Sequence, residues 1–512
     1  MTEAVWIGAG LRFVQALLQA TPTILVGVFV AGIFRRLLGH AGTRRLFGQD
    51  TWRALPQAWL IGMLLPVCSL GVIPVARELR RAGVSGGTIL AFALTAPLFN
   101  PISVLYGLTL SEPVVIITFC FCSLLIVTVV GLAWDRMYPG TAAAEPEPPA
   151  VAYGLKRMLA VAVTAAEELA GPAAPYLLVG LIGVAMLSVV LPYGCLQQAA
   201  EHDDAWAPLF MTAVALPAYA TPMTAMVQLA SMFQHGNSVG ATFALLALGA
   251  GANLGLVVWM ARCYGVRRTA VWFGILIAVV IGLAYGVDKP LYPHGVEPAG
   301  HTHAFDGYCC PFRAEEAQAL PLAWQLLGEK TAPHERQALV MVAILAASGL
   351  LLKRSGRAAG VEAWLQRRPA AAASRYDVVL PAPVLGGVAL AAVVALSVFG
   401  CYVYYPPPGE IFEELRIVNT EVVASATSRD WDTAAYWIPV HKDWIRKVQV
   451  SMFLRGIDLT RYQRAKADLV LERLELLEHE IEGRRAEQAA QAGRALHQSY
   501  RRMRTAFAAV EE

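Results

Sequence analysis

Apolar residues along this chain gather into long unbroken runs rather than alternating stripes. Such runs occupy roughly 16–34, 86–110, 113–134, 172–192, 239–261, 269–287, 335–352 and 382–404. About 20 apolar residues in a helix cross about 30 Å of hydrocarbon, so each run is predicted to span a membrane. Two further apolar stretches, 58–76 and 205–232, are interrupted by Pro66 and Pro74 in the first and by Pro208, Pro217 and Pro222 in the second. Proline removes a helical hydrogen bond and clashes with the preceding turn, so neither stretch is expected to be a straight span.

Past Tyr404-Tyr405-Pro406-Pro407-Pro408 the pattern changes to that of a soluble helical segment. Apolar residues recur at heptad-like spacing at Val470, Leu474, Leu477 and Ile481, then at Leu496, Tyr500, Met503 and Phe507, which predicts a small bundle or hairpin of helices. Trp431, Trp437 and Trp444 are expected to fill its core. Between the spans at 113–134 and 172–192 lies Glu145-Pro146-Glu147-Pro148-Pro149, a stiff polar linker that cannot sit in lipid.

Composition agrees with the pattern. Only 15% of the 512 residues are charged while 56% are apolar, where a soluble protein carries about a quarter charged. Mean hydropathy is +0.50. The net charge of +3 is too small to suggest a nucleic-acid partner. Eight cysteines, several inside apolar runs, do not fix a redox compartment. The start, Met1-Thr2-Glu3-Ala4, lacks the basic region of a secretory signal, and the first apolar run ends in Arg35-Arg36 with no cleavage-type site, so it reads as a retained span.

The two halves repeat one another. Pro22, Leu25, Val26 and Gly27 recur as Pro175, Leu178, Val179 and Gly180, an offset of 153 that also carries Gly83, Ser85, Gly87, Ala91 and Asn100 onto Gly236, Ser238, Gly240, Ala244 and Asn253. At an offset of 151, Leu65-Pro66 maps onto Leu216-Pro217 and Gly131-Leu132-Ala133 onto Gly282-Leu283-Ala284. Small residues coincide often in membrane helices, but an ordered series of landmarks points to duplication.

Charges give the topology, because Lys and Arg in short loops mark the cytoplasmic side. Arg35, Arg36, Arg44, Arg45 and Arg53 precede the first broken stretch and Arg77, Arg80 and Arg81 follow it. Both groups belong on one side if the stretch is a re-entrant hairpin turning near Cys68 to Pro74. The basic loops at Arg136, Lys156 and Arg157, at Arg262, Arg267 and Arg268, and from Lys353 to Arg375 then also fall inside, leaving Glu201-His202-Asp203-Asp204 and 288–336 outside. Three crossings plus one hairpin per half make the halves inverted, as in many secondary transporters. Four full crossings would make them parallel, and that alternative stays open.

Broken segments at membrane depth persist only where protein or a wet cavity satisfies their backbone. The expected pathway therefore comprises Pro66, Cys68, Ser69, Gly71 and Pro74 in one tip and Pro217, Tyr219, Thr221 and Pro222 in the other. Asn100 and Asn253, repeat mates within apolar runs, are expected to hold these tips or the permeant species.

The run Leu65-Pro66-Val67-Cys68-Ser69-Leu70-Gly71-Val72-Ile73-Pro74-Val75, then Leu79-Arg80-Arg81-Ala82-Gly83-Val84-Ser85, Leu90-Ala91-Phe92 and Ala96-Pro97-Leu98-Phe99-Asn100-Pro101, resembles the bacterial permease family that includes YraQ-like proteins and the ArsP organoarsenical exporters. The likeness covers roughly residues 10–290. It implies an integral-membrane permease, with some members exporting trivalent arsenicals and a related branch linked to metal efflux. Family sequences often read Cys-Ser-Cys where this chain has Cys68-Ser69-Leu70, and the second half has Tyr219-Ala220-Thr221 without a thiol. Trivalent arsenic and soft metals prefer two or three thiolates, so a single pore cysteine weakens the arsenical reading. Cys120 and Cys122 point about 200° apart on a helix, so at most one could join Cys68, and buried inert thiols are the default for both.

His294, His301, His303, Asp306, Cys309 and Cys310 concentrate ligand-type side chains on the expected outer face. Their spacing matches no standard zinc motif; metal binding, plain loop polarity and a strained or intermolecular disulfide all stay open. No Gly-x-x-x-x-Gly-Lys-Ser/Thr run is present, so this chain is not expected to use ATP itself.

These readings give one expectation: an all-α polytopic membrane protein built as an inverted internal repeat with two proline-broken re-entrant hairpins, two extra spans and a soluble helical tail. Its divisions are membrane repeat 1 (1–139), a Pro-rich linker and amphipathic helix (140–171), membrane repeat 2 (172–288), a His/Cys-containing outer loop (289–334), two added spans (335–404) and the helical C-terminal domain (405–512). The expected function is secondary efflux of a small solute, such as a metal ion or organoarsenical, from a midplane site in a bacterial inner membrane, without cofactor or enzymatic chemistry and with the tail outside. Its partners are lipid and solute, not nucleic acid; a second copy and a partner for the tail stay open. The alternatives are a membrane anchor presenting the tail to a partner and a thiol-based membrane oxidoreductase.

Overall fold

The computed structural model describes residues 3–48, 53–139, 144–147, 149, 151–152, 154–197, 201, 204–234, 236–292, 304–313, 318–367 and 380–507. Every regular element among them is a helix: α1 Glu3–Ile33, continued as a π turn to Leu38, α2 Gly39–Leu46, α3 Ala54–Leu64, α4 Val72–Arg81, α5 Gly86–Thr95, α6 Pro101–Leu110 and α7 Pro113–Met137. There follow α8 Leu155–Leu169, α9 Ala174–Val190, α10 Ala207–Ala215, α11 Pro222–Gln234, α12 Val239–Ala244, continued as a π turn to Ala250, α13 Leu254–Tyr264 and α14 Val266–Asp288. Then come α15 Ala319–Lys330, α16 Pro333–Arg354, α17 Ala358–Gln366, α18 Ala382–Tyr404, α19 Pro408–Ser428, α20 Trp431–Leu454, α21 Arg461–Glu482 and α22 Ala486–Phe507.

Five helical stretches among the described residues are long and apolar enough to cross a bilayer: 3–46, 113–137, 266–288, 333–354 and 383–404. Two bent pairs, α8 with α9 at 54° and α12 with α13 at 55°, raise the count to seven if each is one span. The protein is thus a polytopic helical membrane protein.

Two spans expected to be continuous are broken. The run 86–110 divides at Ala96–Asn100 into α5 and α6, and the run 239–261 divides at Gly251–Asn253. The residue before a proline avoids the helical region, and Asn100 precedes Pro101, the first residue of α6. Proline suits that place because its missing N–H would have had no partner. Asn253 adopts an extended backbone and caps α13. Residues 155–169, expected as an amphipathic linker helix, form α8, which bends by 54° into α9.

Helices in the two halves start in step. α3 and α10, α5 and α12, α6 and α13, and α7 and α14 each begin 153 residues apart. The same hydrogen bonds recur at that interval. Asp135 at the end of α7 accepts from Ser85 Oγ (3.1 Å) and Gly87 N–H (2.8 Å) at the start of α5. Asp288 at the end of α14 accepts from Ser238 Oγ (2.8 Å) and Gly240 N–H (2.8 Å) at the start of α12. A carboxylate satisfying free N–H groups at a helix N-terminus also opposes the helix dipole favourably. A Cβ on Gly87 would meet Gly131 O, and one on Gly240 would meet Ala284 O. The structural mate of Gly131 is therefore Ala284, at 153, and not Gly282 at 151.

The chain folds as two compact units, one of Met1–Gly107 with Pro113–Ser397 and the other of Val398–Glu512 with Leu108–Glu112. In the second, α19 to α22 form a four-helix bundle in which each helix packs on the next and α19 closes against α22. Every residue of the heptad-like stripe, from Val470 to Ile481 and from Leu496 to Phe507, is in its core. Trp431, Trp437 and Trp444 do not fill that core; they are half-buried at its margin. At the margin an indole packs its ring on apolar neighbours while its N–H stays within reach of a polar partner. His441 is fully buried in this bundle with neither ring nitrogen hydrogen-bonded, and burial holds its pKa down at about 3.

Candidate functional site

The first broken stretch is α3, an open turn over Leu65–Gly71, and α4. Leu65, which precedes Pro66, is extended at φ −98° and ψ 124°. The turn is closed by its own backbone, with Val72 N–H donating to Cys68 O at 2.9 Å and Ile73 N–H to Leu70 O at 3.1 Å. Gly71 N–H points at Cys68 Sγ at 3.3 Å. Cys68, Ser69, Gly71 and Pro74 are all buried. α1 presses directly on the turn: a Cβ on Gly27 would lie 2.1 Å from Gly71 O, and one on Gly71 would lie 2.5 Å from Thr23 O. Two glycines thus allow backbone to touch backbone, which any side chain would prevent.

The second broken stretch repeats the form with other side chains. Between α10 and α11 the chain turns over Leu216–Thr221. Ala220 N–H reaches Gly249 O at 3.3 Å, in the π turn that ends at Ala250. Thr221 caps α11 through Thr224 N–H at 3.2 Å, with the two threonine hydroxyls 2.8 Å apart. α9 presses on this turn at Gly183, where a Cβ would meet Pro217 O at 2.2 Å.

The two turns come together. The Tyr219 hydroxyl faces the Cys68 thiol and Thr23, and neither contact closes to a hydrogen bond of normal geometry. A Cβ on Gly180 would meet Leu70 Cδ2 at 2.4 Å and Asn253 Oδ1 at 3.0 Å, and one on Gly251 would meet Leu98 at 3.2 Å. Both asparagines are buried at helix breaks. Asn100 Oδ1 accepts from Ile102 N–H (3.1 Å) and Ser103 N–H (2.9 Å), and Asn253 Oδ1 accepts from Leu256 N–H (2.9 Å). Their carbonyl oxygens are therefore committed to capping, a role their place in apolar runs does not foretell. Ser69 Oγ, Tyr219 Oη and Asn253 Nδ2 are left buried without a hydrogen-bond partner. Each such orphan costs about 1–3 kcal/mol. Ser69 adjoins Cys68, which Tyr219 faces, and Asn253 lies with Leu70 beside Gly180.

Beside Tyr219, a seam lined by Ala220, Gln228, Met232, Thr242 and Tyr308 has no room for a water molecule. Tyr308 donates to Gln228 Oε1 at 2.9 Å across it.

An ion cluster escaped sequence reasoning. Glu168, at the end of α8, accepts from Arg77 Nε at 3.0 Å and from Arg81 Nη1 at 3.1 Å. Arg81 also binds Glu78 and reaches Glu145 of the Pro-rich linker at 3.5 Å. Glu78 and Glu168 are both buried. Arg36 makes a two-pronged pair with Glu362 at 2.8 and 3.0 Å. Burial would raise the Glu362 pKa, but the Arg36 guanidinium outweighs it and holds the carboxyl below its usual range. The basic residues of 77–81 were legible as topology signals; Glu168 lies 91 residues from Arg77, where no local pattern links them.

Of the six ligand-type residues in the outer loop, His294, His301 and His303 lie outside the described residues. The other three turn to separate partners. Asp306 accepts from Gln197 Nε2 at 3.3 Å, Cys309 Sγ lies 3.7 Å from Cys195 Sγ, and Cys310 Sγ packs toward Gly8 of α1. Among the described residues no three His, Cys, Asp or Glu side chains gather as a metal site. Burial pushes the Cys309 thiol up to about 12.

Buried helix breaks with unpaired polar atoms set among apolar spans are the kind of feature that membrane permeases carry. The chain belongs to the ArsP_1 family, described as "Predicted permease", whose model matches residues 8–287. A stretch of 90 residues, 18% of this chain, is 37% identical to the "UPF0718 protein YcgR" of Bacillus subtilis, covering 31% of that protein. A stretch of 90 residues is 24% identical to the "Putative two-component membrane permease complex subunit" of Streptococcus mutans, covering 30% of it. The chain thus matches about a third of the length of these curated relatives. No solved structure matches it.

Proposed function

We propose that this permease moves a small solute, a soft metal ion or an organoarsenical, out of the cell through a site between Cys68 and Tyr219, by alternating exposure of two inverted halves in a bacterial inner membrane. The observation that carries this reading is the pairing of two proline-broken turns whose side chains meet while Ser69, Tyr219 and Asn253 keep free polar atoms. Both ends of the first hairpin stay near the arginine-rich side: Gln57 of α3 bonds Leu46 O, and Arg81 of α4 binds Glu168. In this reading the second hairpin keeps to the opposite side, a placement supported by the end of α14, where Tyr285 bonds Ala205 O just before α10 and Tyr292 bonds Gly236 O just after α11. Hairpins entering from opposite sides are what an inverted duplication requires.

In this reading Cys68 supplies one thiolate and the neighbouring hydroxyls and backbone complete a mixed soft and hard donor set. A single thiolate favours weak, releasable binding over the tight capture that three would give. The pathway comprises Pro66, Cys68, Ser69, Gly71, Pro74 and Asn100 with Pro217, Tyr219, Thr221, Pro222 and Asn253. The added spans at 335–404 and the bundle at 405–512 lie beyond this core, with the bundle on the outer side.

The test is flux in sealed vesicles across methylated trivalent arsenicals and divalent metals, comparing wild type with Cys68→Ala and Asn100→Ala. Transport by wild type with strong loss in Cys68→Ala is expected. Equal transport by all three contradicts the site, and no transport of any solute favours an anchor for the bundle.

A further inference from the structure

Two segments, 191–197 and 304–313, dock with fixed register. Cys310 N–H donates to Leu191 O at 2.9 Å, Gln197 Nε2 reaches both Asp306 carboxylate oxygens at 3.3 and 3.5 Å, and the Arg313 guanidinium lies 5.7 Å above the Tyr193 ring. α1 holds the same loop from its other face. Arg12 donates to Asp306 O at 2.5 Å and to Cys309 O at 3.1 Å. Cys195 sits in a tight turn set by Gly194, whose φ of +70° suits glycine alone. Within this frame Cys195 Sγ and Cys309 Sγ face one another at 3.7 Å. A disulfide would close this gap to about 2.05 Å. The neighbouring Cys310 is turned away toward Gly8, so a link between adjacent cysteines is not the one this geometry favours.

We propose that Cys195 and Cys309 are a disulfide site that covalently fastens the 304–312 loop over the second broken turn, resting on the reading that these segments face outward. The loop is more than a connector, because Tyr308 beside Cys309 reaches Gln228 of α11 and lines the closed seam next to Ala220. Fastening Cys309 holds Tyr308 in that seam. The reaction is thiol–disulfide exchange with an external disulfide, such as that of an envelope dithiol oxidase. Cys195 is the exposed partner and Cys309 the buried one, so the Cys195 thiolate attacks first, expelling one thiol of the oxidant. Cys309 then displaces the second. The two cysteines lose two protons and two electrons, and the oxidant leaves as its dithiol. Burial keeps Cys309 protonated at neutral pH, so closure of the link quickens as pH rises.

The test uses the full chain in native membranes, with free thiols blocked before digestion and peptides mapped with and without reductant. A Cys195–Cys309 linked peptide that is lost in Cys195→Ser is expected, with Cys310 alkylated throughout. Hydrogen exchange across 304–312 should slow at least tenfold on oxidation. If both thiols stay free after treatment with diamide, or if Cys309 links to Cys310, the proposal fails. A membrane-impermeant maleimide separates this from sidedness. Labelling of Cys195 in intact cells only after reduction supports both readings. A link formed with diamide, but labelling only in inverted vesicles, overturns the outward placement and with it the envelope oxidant, while the permease site between Cys68 and Tyr219 stands or falls on flux alone.

Discussion

The two broken turns share a backbone plan and differ in chemistry. Leu65–Gly71 carries a thiol and a free serine hydroxyl and is pressed by backbone at Gly27, whereas Leu216–Thr221 carries a tyrosine and a threonine already bonded to Thr224. Away from the tips some joints are kept: Ser85 with Asp135 and Ser238 with Asp288 make the same bonds, at 3.1 and 2.8 Å. Duplication has thus kept the joints that hold each half together and varied the groups that meet between them.

The contrast breaks most sharply at the glycines. Gly27→Ala drives a methyl into the Gly71 carbonyl, which cannot move without opening the turn, while Gly180→Ala meets the movable end of Leu70 and, less closely, the Asn253 side-chain oxygen. Gly27→Ala should cost about 3 kcal/mol or more and Gly180→Ala about 1, by the usual cost of overpacking. Thermal unfolding in detergent checks the order, and equal losses would remove the asymmetry. Next, Cys68→Ala should lower flux at least tenfold at wild-type abundance, whereas Thr221→Ala, whose hydroxyl serves a helix cap, should lower it less than threefold. Asp135→Ala and Asp288→Ala should each cost about 1–3 kcal/mol. Unfolding of each variant measures this, and a loss below about 0.5 kcal/mol in either would contradict it.

The bundle offers a control remote from the tips. His441 titrates at about 3 when folded and near 6.5 when unfolded. The unfolded state therefore binds the extra proton, and stability falls as pH drops below about 6.5 until about 3, reaching a loss of about 2 kcal/mol at pH 5. Hydrogen exchange of α20 in the whole protein should quicken over that range, and His441→Leu should flatten the dependence without touching flux.

Much of this was legible because membrane helices announce themselves by length and the duplication by a constant offset. The proline-broken turns at Pro66 and Pro217 interrupt such runs, and the apolar stripe of α21 and α22 is legible from its heptad-like spacing. The breaks at Asn100 and Asn253 were missed because apolar composition runs straight through them; only the pairing of Asn100 with Pro101 hinted at a stop. The partnership of Glu168 with Arg77 and Arg81 depends on how α8 lies against α4, and no local spacing encodes it. Cys195 attracted no notice as a single cysteine in a polar loop, since its partner is 114 residues away.

The central claim is that the two tips meet. Mapping of mercury-bridged or oxidised peptides in membranes bearing Tyr219→Cys tests it most directly. The account predicts efficient linkage of residue 219 to Cys68 and none to Cys120. Full alkylation of both Cys68 and position 219, with no link between them at any stage of the transport cycle, would contradict it.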